Sequence, residues 1–307
     1  MIQPVVVKFG GTSLQDFARI NKCCDIVVGL KKNNNVVVVV SAMGGTTNQI
    51  LTNISSTELE FFPSICEDLI LSTGESTAAG YFSAFLSSKG VSSLPLCGWQ
   101  IPILTKNKLI EKVCTDKIDS LLNQNITPVV TGFQGVDSTG HITTLSRGGS
   151  DTTAAALAHA LGSKSCYIYT DVAGVYRINP NISGTYSNKI IKEISYNDMY
   201  YLASNGAKVI HKDALEFGRT GNFDMFIRSS LEPAKKGTRI ANLNKSECGI
   251  SINQRGNIYL LHNQLLDEKH LSRFEEYKIS QNELELIDLN NETVLSELCQ
   301  YIADLEI

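Results

Sequence analysis

The segment that decides the fold class is residues 5–13, whose sequence is VVVKFGGTS. Its three leading valines are β-branched and uninterrupted, which predicts a strand buried on both faces. Two adjacent glycines follow, and helical periodicity then extends over residues 14–30. A buried strand that turns through glycines into a helix is the first unit of an α/β fold.

The same alternation of strands and helices continues through residue 240. Further strands are predicted at residues 36–40, 127–131, 166–169 and 224–227. Helices are predicted at residues 14–30, 69–85, 115–122, 152–161 and 197–203. This order predicts an α/β fold with a mainly parallel sheet sandwiched by helices. Ligands of such sheets bind beyond the carboxyl ends of the strands, which is where this chain concentrates its glycines.

The composition favours a small-molecule ligand. The chain has 307 residues, 43% hydrophobic and 19% charged, with a net charge of −4. Disordered, collagen-like and disulfide-scaffold classes are therefore excluded, and nothing in the charge attracts nucleic acid or an anionic membrane. Eight cysteines without a C-x-x-C pair indicate reduced thiols rather than a metal site. With no signal peptide before the first strand, we expect a cytoplasmic protein.

Charge changes sharply near residue 245. Residues 1–245 carry 23 basic and 19 acidic side chains, whereas residues 246–307 carry 4 and 12. We therefore predict a large domain at 1–245 and a small acidic α+β appendage at 246–307. In the appendage, strands are predicted at residues 249–253, 257–261 and 284–289, and helices at residues 265–277 and 293–305. On its sequence alone this appendage is either a solvated acidic tail or a regulatory module.

Lys8, Gly10 and Gly11 form the first of three candidate anion-binding loops. Glycines let a phosphate approach the backbone, and the start of the following helix adds a partial positive charge. The lysine precedes the glycines and no G-x-x-x-x-G-K-[ST] occurs, so this is not a Walker A loop. A turn from strand to helix that needs glycine only for its backbone conformation explains residues 8–13 equally well.

Two more loops are residues 41–48 (SAMGGTTN), which follow a predicted strand, and residues 143–153 (TTLSRGGSDTT), which run into a predicted helix. In the second of these, Arg147 offers a bidentate fork for a carboxylate or phosphate. Ser150 and Asp151 suit the start of a helix, and simple capping is the plainer interpretation of each alone. Three such loops at successive strand ends favour a shared binding site.

Two further segments add charged side chains. Residues 72–75 place Glu75 beside a glycine in an apolar helical stretch. Its carboxylate either pairs with an amino group or is an ordinary surface glutamate on a helix. Residues 206–211 bring Lys208 after a turn, as either a phosphate contact or a solvated lysine. His211 has no second ligand at metal-binding spacing, so we interpret it as a packing or hydrogen-bonding residue.

Taken in order, these segments resemble the aspartate kinases, which have the amino acid kinase fold. The matching segments are residues 8–13 (KFGGTS), 40–47 (VSAMGGTT), 73–75 (TGE), 132–135 (GFQG), 147–153 (RGGSDTT), 169–172 (YTDV) and 207–211 (AKVIH). The likeness covers about residues 3–240. KFGG alone also suits members that act on glutamate, acetylglutamate or nucleotides, whereas the SAMGGTT and SRGGSDTT loops point to aspartate.

The resemblance implies transfer of the γ-phosphoryl group of ATP, with Mg²⁺, to the side-chain carboxylate of L-aspartate. It implies Lys8, Asp151 and Lys208 as catalytic residues. The nucleotide would be bound by Lys8, Phe9, Gly10, Gly11, Thr170, Asp171, Tyr176, Lys208 and Val209. Aspartate would be bound by Ser41, Thr47, Glu75, Arg147, Gly149 and Ser150. The product is the first intermediate toward lysine, threonine and methionine, and we expect a homodimer.

Departures from the family pattern leave two alternatives open. Residues 171–181 are DVAGVYRINPN, where the family has DVDGVYTADPR, so two acids and an arginine on the nucleotide side are lost. One alternative is a catalytically weak sensor or subunit that binds an amino acid, and the other is a kinase for a related acid. The 62 residues after residue 245 are too few for the family's two ACT modules, so we expect at most one abbreviated unit and weak or absent feedback inhibition.

Overall fold

The computed structural model describes residues 3–146, 148–177 and 189–243, and the backbone of four short strands further along the chain. Most of the described residues belong to one large sheet, its covering helices and a smaller side sheet. Within this part of the chain, no helix combines the length and apolar character needed to cross a bilayer.

Among the described residues up to residue 243, twelve strands form two sheets. In chain order they are β1 (Val5–Phe9), β2 (Val36–Val40), β3 (Ser93–Leu96), β4 (Ile103–Lys106), β5 (Leu109–Val113), β6 (Thr127–Thr131), β7 (Gln134–Val136), β8 (Ile142–Thr144), β9 (Ser165–Thr170), β10 (Glu193–Ser195), β11 (Asp224–Ser229) and β12 (Thr238–Ala241). The central sheet has eight strands in the order β10-β12-β11-β9-β1-β2-β6-β3, and the side sheet has the order β5-β4-β7-β8.

The central sheet is mainly parallel, as predicted. Strands β3, β6, β2, β1, β9 and β11 run in the same direction. Strand β12 reverses because it follows β11 through a short turn, in which Gly237 has φ +74°. Strand β10 pairs parallel with β12, so this edge of the sheet runs opposite to the rest.

In the part of the chain that the structure describes, seven α-helices connect and cover these strands. They are α1 (Phe17–Lys31), α2 (Thr46–Ser55), α3 (Ser64–Ser88), α4 (Asp116–Asn123), α5 (Gly149–Ala160), α6 (Tyr196–Ser204) and α7 (Lys212–Gly221). The predicted helices are confirmed in α1, α3, α4, α5 and α6. Periodicity placed the start of α1 too early, at residue 14. The Asp16 carboxylate accepts a hydrogen bond from the Arg19 backbone N–H and caps the helix there.

Apolar side chains fill both faces of the central sheet. Along β1 and β2, alternate valines point to opposite sides, so that Val6 and Val37 join one core while Val7 and Val38 join the other. The first core is completed by α5, α6 and α7, and the second by α1 and α3. Two buried faces explain why the strand sequences are continuously apolar rather than alternating.

The C-terminal segment contributes a third, separate sheet. Its strands are β13 (Ile250–Ile252), β14 (Ile258–Leu260), β15 (Tyr277–Ser280) and β16 (Glu283–Leu286), in the order β13-β14-β16-β15. Three of these fall on predicted strands. Strand β15 was not predicted, and Tyr277, expected to end a helix, begins it. The predicted helices otherwise lie outside the described residues.

Candidate active site

The carboxyl ends of four neighbouring strands converge at one edge of the central sheet. Backbone hydrogen bonds join these ends: Gly10 N–H donates to the Tyr169 carbonyl (3.0 Å), Ser41 N–H to Phe9 (3.1 Å) and Gly132 N–H to Val40 (2.8 Å). The glycine-rich loops that follow therefore share one place. They line an open cavity of about 1000 Å³.

Lys8 and Asp151 form a buried ion pair at the base of this cavity. The Nζ atom of Lys8 lies 2.6 Å from Oδ1 of Asp151. Both residues are 8% exposed. Lys8 projects from β1 and Asp151 from the first turn of α5, where a carboxylate is favoured by the helix dipole. The pair therefore fixes the lysine beside the glycine loop, since a Cβ on Gly10 would lie 3.4 Å from its Nζ atom.

Glu75 is a buried carboxylate of which only one oxygen accepts a hydrogen bond from the described residues. Its Oε1 atom accepts a hydrogen bond from the Ala42 backbone N–H (3.1 Å). Its Oε2 atom has no hydrogen-bond partner within the described residues. Burial raises the pKa of Glu75 to about 7, against the opposing effect of the Ala42 hydrogen bond. A buried carboxylate oxygen without a partner favours a ligand that brings a positive charge.

Two glycines permit close packing around the loop before α5. A Cβ on Gly132 would come within 2.6 Å of the Cβ and Oγ atoms of Ser150, so glycine is needed for Ser150 to sit at the cavity. Gly148 has φ +77° and precedes α5, and a Cβ there would lie 2.6 Å from the Cβ of His211. His211 is thus a packing residue that also caps α7, as the sequence indicated.

Polar contacts fasten α3 to the strands beside the cavity. The Thr144 hydroxyl donates a hydrogen bond to the Asp68 carboxylate. The Gln134 side-chain amide donates to the Ser72 carbonyl (2.9 Å). Because Asp68 and Glu75 lie two turns apart on α3, these bonds hold the helix that carries Glu75 against the loop that leads to α5.

Eleven of the sixteen predicted site residues line the cavity. They are Lys8, Gly10, Gly11, Ser41, Thr47, Glu75, Gly149, Ser150, Asp151, Thr170 and Asp171. The Phe9 side chain is fully buried, stacked on Phe82 and Tyr169, so it supports the loop from within the core. Tyr176, Lys208 and Val209 are not among the lining residues, and Lys208 is exposed.

Arg147 lies outside the described residues, so its contact with an acid stays a prediction. Lining residues that were not among the predicted site residues include Glu67 on α3, Lys108 at the β4–β5 turn and Phe133 after β6. Phe133 belongs to the GFQG segment, and its positive φ of 65° is a backbone feature that the sequence does not show. Glu67 and Lys108 carried no motif that could have identified them.

A family model described as "Amino acid kinase family" matches residues 3–229 of the chain. The chain belongs to the amino acid kinase family. Its curated relatives include aspartokinases from Rickettsia felis, 38% identical over 249 residues, and from Geobacillus stearothermophilus, 43% identical over 242 residues. These alignments cover 79% and 77% of this chain. The chain spans only 62% and 58% of the length of those two relatives.

Solved structures agree on the fold. Aspartate kinase from Synechocystis has a TM-score of 0.69 at 34% identity, and the match covers 79% of this chain and 40% of that chain. Aspartokinase III from E. coli, in complex with aspartate and ADP, has a TM-score of 0.71 at 24% identity and covers 97% of this chain and 83% of that one. The expected α/β architecture is thereby confirmed.

Proposed function

We propose that this chain is an ATP-dependent aspartate kinase, which transfers the γ-phosphoryl group to the side-chain carboxylate of L-aspartate. The observation that carries the proposal is the meeting, in one cavity, of the Lys8–Asp151 ion pair and the buried Glu75 carboxylate. The aspartokinase relatives support aspartate over the other acids used by the family. The family model, which matches residues 3–229, spans the loops that line the cavity.

The residues fit a reaction that needs positioning and charge compensation rather than a base. A carboxylate is already ionised at neutral pH and is itself the nucleophile, so no residue has to remove a proton from it. Phosphoryl transfer then depends on cations and backbone amides around the transferring group. Lys8 and the loop at Gly10 and Gly11 supply these, with Asp151 holding the lysine in place.

Aspartate would enter with its α-amino group toward the free oxygen of Glu75. An ammonium there converts an unpaired buried carboxylate into a paired one, which offsets the cost of burying it. Ser41, Thr47, Gly149 and Ser150 line the same cavity and would donate hydrogen bonds to the substrate. We assign Arg147 to a carboxylate of aspartate, as the bidentate fork of its side chain suits.

The nucleotide is assigned to the side formed by Thr170 and Asp171, where Thr170 donates to the Asp171 carboxylate (3.0 Å). Tyr176, Lys208, Val209 and the backbone of Phe9 complete this assignment by resemblance. The described residues contain no group of three metal-ligating side chains. Asp151 or Asp171 would hold Mg²⁺ together with the phosphate oxygens of ATP. When bound, the metal neutralises phosphate charge.

The proposal also covers the domains and assembly of the chain. Residues 1–245 form the catalytic domain, and residues 246–307 form a small module with its own sheet, a degenerate ACT-like unit. We further propose a cytoplasmic homodimer that acts in amino-acid biosynthesis. Neither nucleic acid nor a membrane is proposed as a partner.

Release of ADP by the purified chain tests the proposal. It is measured with Mg-ATP and, in separate reactions, L-aspartate, L-glutamate and N-acetyl-L-glutamate. We expect turnover with aspartate at least tenfold above that with either other acid. If ADP were released only with L-glutamate or N-acetyl-L-glutamate, the chain would be a kinase for that acid and not for aspartate. If calorimetry showed binding of aspartate but not of ATP, the chain would instead be an amino-acid sensor.

A further inference from the structure

Ser13 and Ser230 join two segments beside the cavity through their hydroxyl groups. The Ser230 hydroxyl donates a hydrogen bond to the Oγ atom of Ser13 at 2.7 Å, although the two residues are 217 positions apart in the chain. It also lies 3.2 Å from the carbonyl oxygen of Thr170, the last residue of β9. Ser13 is 1% exposed and Ser230 is 4% exposed, so bulk water does not compete for this contact.

Ser13 belongs to the turn that carries the two glycines of the first loop. Its backbone N–H donates to the Gly10 carbonyl (2.9 Å), and residues Gly11–Leu14 form a single 3₁₀ turn. The same turn packs closely against the second loop, since a Cβ on Gly11 would lie 2.9 Å from the Ala42 carbonyl oxygen. Because Ser13 closes this turn, a change in its position moves the backbone amides of Gly10 and Gly11.

Ser230 is itself fixed to the strand end on the side assigned to the nucleotide. Its backbone N–H donates to the Thr170 carbonyl (2.9 Å), which continues the parallel pairing of β11 with β9. The Gly10 N–H donates to the carbonyl of Tyr169, the preceding residue of β9 (3.0 Å). The end of β9 therefore holds the glycine loop directly at Gly10 and, through the Ser230 hydroxyl, at Ser13.

Two side chains of α1 also contact this loop. Arg19 donates to the Thr12 carbonyl (2.7 Å), and the Cys23 thiol donates to the Ser13 carbonyl (3.3 Å). The first contact is exposed and the second uses a weak thiol donor. Both come from the helix into which the loop leads, whereas Ser230 connects the loop to a distant strand end.

We propose that Ser230 is a positioning residue for phosphoryl transfer, an inference that rests on the proposed function. Through Ser13, its hydroxyl holds the amides of Gly10 and Gly11 in the orientation in which they meet the transferring phosphoryl group. Backbone amides stabilise developing charge best when they are held in place before the reaction. Ser13 and Ser230 are not among the described residues that line the cavity, so they act on the reaction through the loop.

The test compares Ser230→Ala with Ser229→Ala in the full chain. Ser229 is also buried, and its Oγ atom accepts hydrogen bonds from the Leu231 and Glu232 backbone N–H groups (3.1 Å each). Both variants should lower the melting temperature by about 2 to 4 °C, as for loss of one buried hydrogen bond. In steady-state ADP release with L-aspartate, we expect Ser230→Ala to lower kcat about tenfold and to keep KM for aspartate within about twofold. Ser229→Ala should keep both parameters within about twofold.

A double variant shows whether the two hydroxyl groups act as one unit. Ser13→Ala removes the same contact from the other side, so its combination with Ser230→Ala should have a kcat within about twofold of either single variant. Losses that multiply in the double variant would overturn the inference. An unchanged kcat in Ser230→Ala, or an equal loss of kcat in Ser229→Ala, would do the same. In each of these cases an active wild type preserves the proposed function, whereas a wild type without aspartate turnover would overturn both.

Discussion

The Nζ atom of Lys8 and the Oδ1 atom of Asp151 lie 2.6 Å apart, joining the end of the first strand to the first turn of α5. Residues far apart in the chain thus form one charged unit at the base of the cavity. The unit is buried, so each charge is stabilised by the other rather than by water. It links the stability of the domain to the chemistry proposed for it.

Removing Lys8 should therefore affect both properties. We expect Lys8→Ala to lower kcat by about 10² to 10³, as for loss of one donor to the transition state. It should also lower the free energy of unfolding by about 3 to 5 kcal/mol, because Asp151 is left buried and unpaired. Urea unfolding and steady-state kinetics measure the two effects.

A double variant separates the two effects. Lys8→Met combined with Asp151→Asn removes both charges, so much of the lost stability should return while kcat stays low. If stability and kcat recovered together, the lysine would have only a structural role.

Glu75 should make aspartate binding depend on pH. Burial raises its pKa to about 7, and an ammonium ligand pairs only with the ionised form. Calorimetry should therefore show aspartate affinity rising about tenfold from pH 6 to pH 8, as expected for one group with that pKa. Glu75→Gln should bind weakly at both pH values. A wild-type affinity that is flat over this range would contradict the assignment.

The same carboxyl should influence stability in the opposite direction. Its pKa is raised above the ordinary value of 4.5, so between about pH 4.5 and pH 7 the folded chain holds a proton that the unfolded chain has released. Its contribution to folding stability is present at low pH and falls as pH rises through 7. Relative to wild type, Glu75→Gln should gain stability as pH increases from 5 to 8 in urea unfolding experiments.

Gly132→Ala should disturb the substrate end of the cavity. The added Cβ would lie 2.6 Å from the Ser150 side chain and 2.9 Å from its Cα atom, so Ser150 has to move. We expect a loss of about 1 to 3 kcal/mol in unfolding free energy and a higher KM for aspartate. Gly29→Ala is the matched control: it lies in α1 with no atom within 4 Å of the new Cβ, and should stabilise the chain by about 0.5 to 1 kcal/mol.

Thr144→Val should test the contact between α3 and β8. The variant keeps the shape of the side chain but leaves the Asp68 carboxylate without its hydroxyl donor. We expect a loss of about 1 to 3 kcal/mol in unfolding free energy. Thr73→Val, exposed on α3, serves as the reference substitution. Equal losses in the two variants would argue against a role for the contact.

The sequence predicts those features that depend on local pattern. Continuous valines at residues 36–40 predict a strand buried on both faces, and it is one. Glycine pairs at the strand ends predict the loops, and Lys8 and Asp151 were placed in a common site from their flanking motifs. Helices α2 and α7, each of ten residues, were not predicted, and α2 has no buried residue.

The features that escaped prediction depend on tertiary placement. Lys108 reaches the cavity only because a side sheet pairs β4 with β7 and carries the hairpin to the site. Glu67 reaches it because α3 begins five residues earlier than the predicted stretch. Lys208, expected beside the phosphates, is exposed and not among the lining residues.

The most direct test of the proposed chemistry is formation of aspartyl hydroxamate by the purified chain with ATP, Mg²⁺, L-aspartate and hydroxylamine. Hydroxylamine traps an acyl phosphate, which is the product that distinguishes transfer to a carboxylate from hydrolysis of ATP. We predict hydroxamate that depends on both aspartate and ATP and is reduced at least a hundredfold by Lys8→Ala. Release of ADP with aspartate present but without hydroxamate would contradict phosphoryl transfer to the carboxylate.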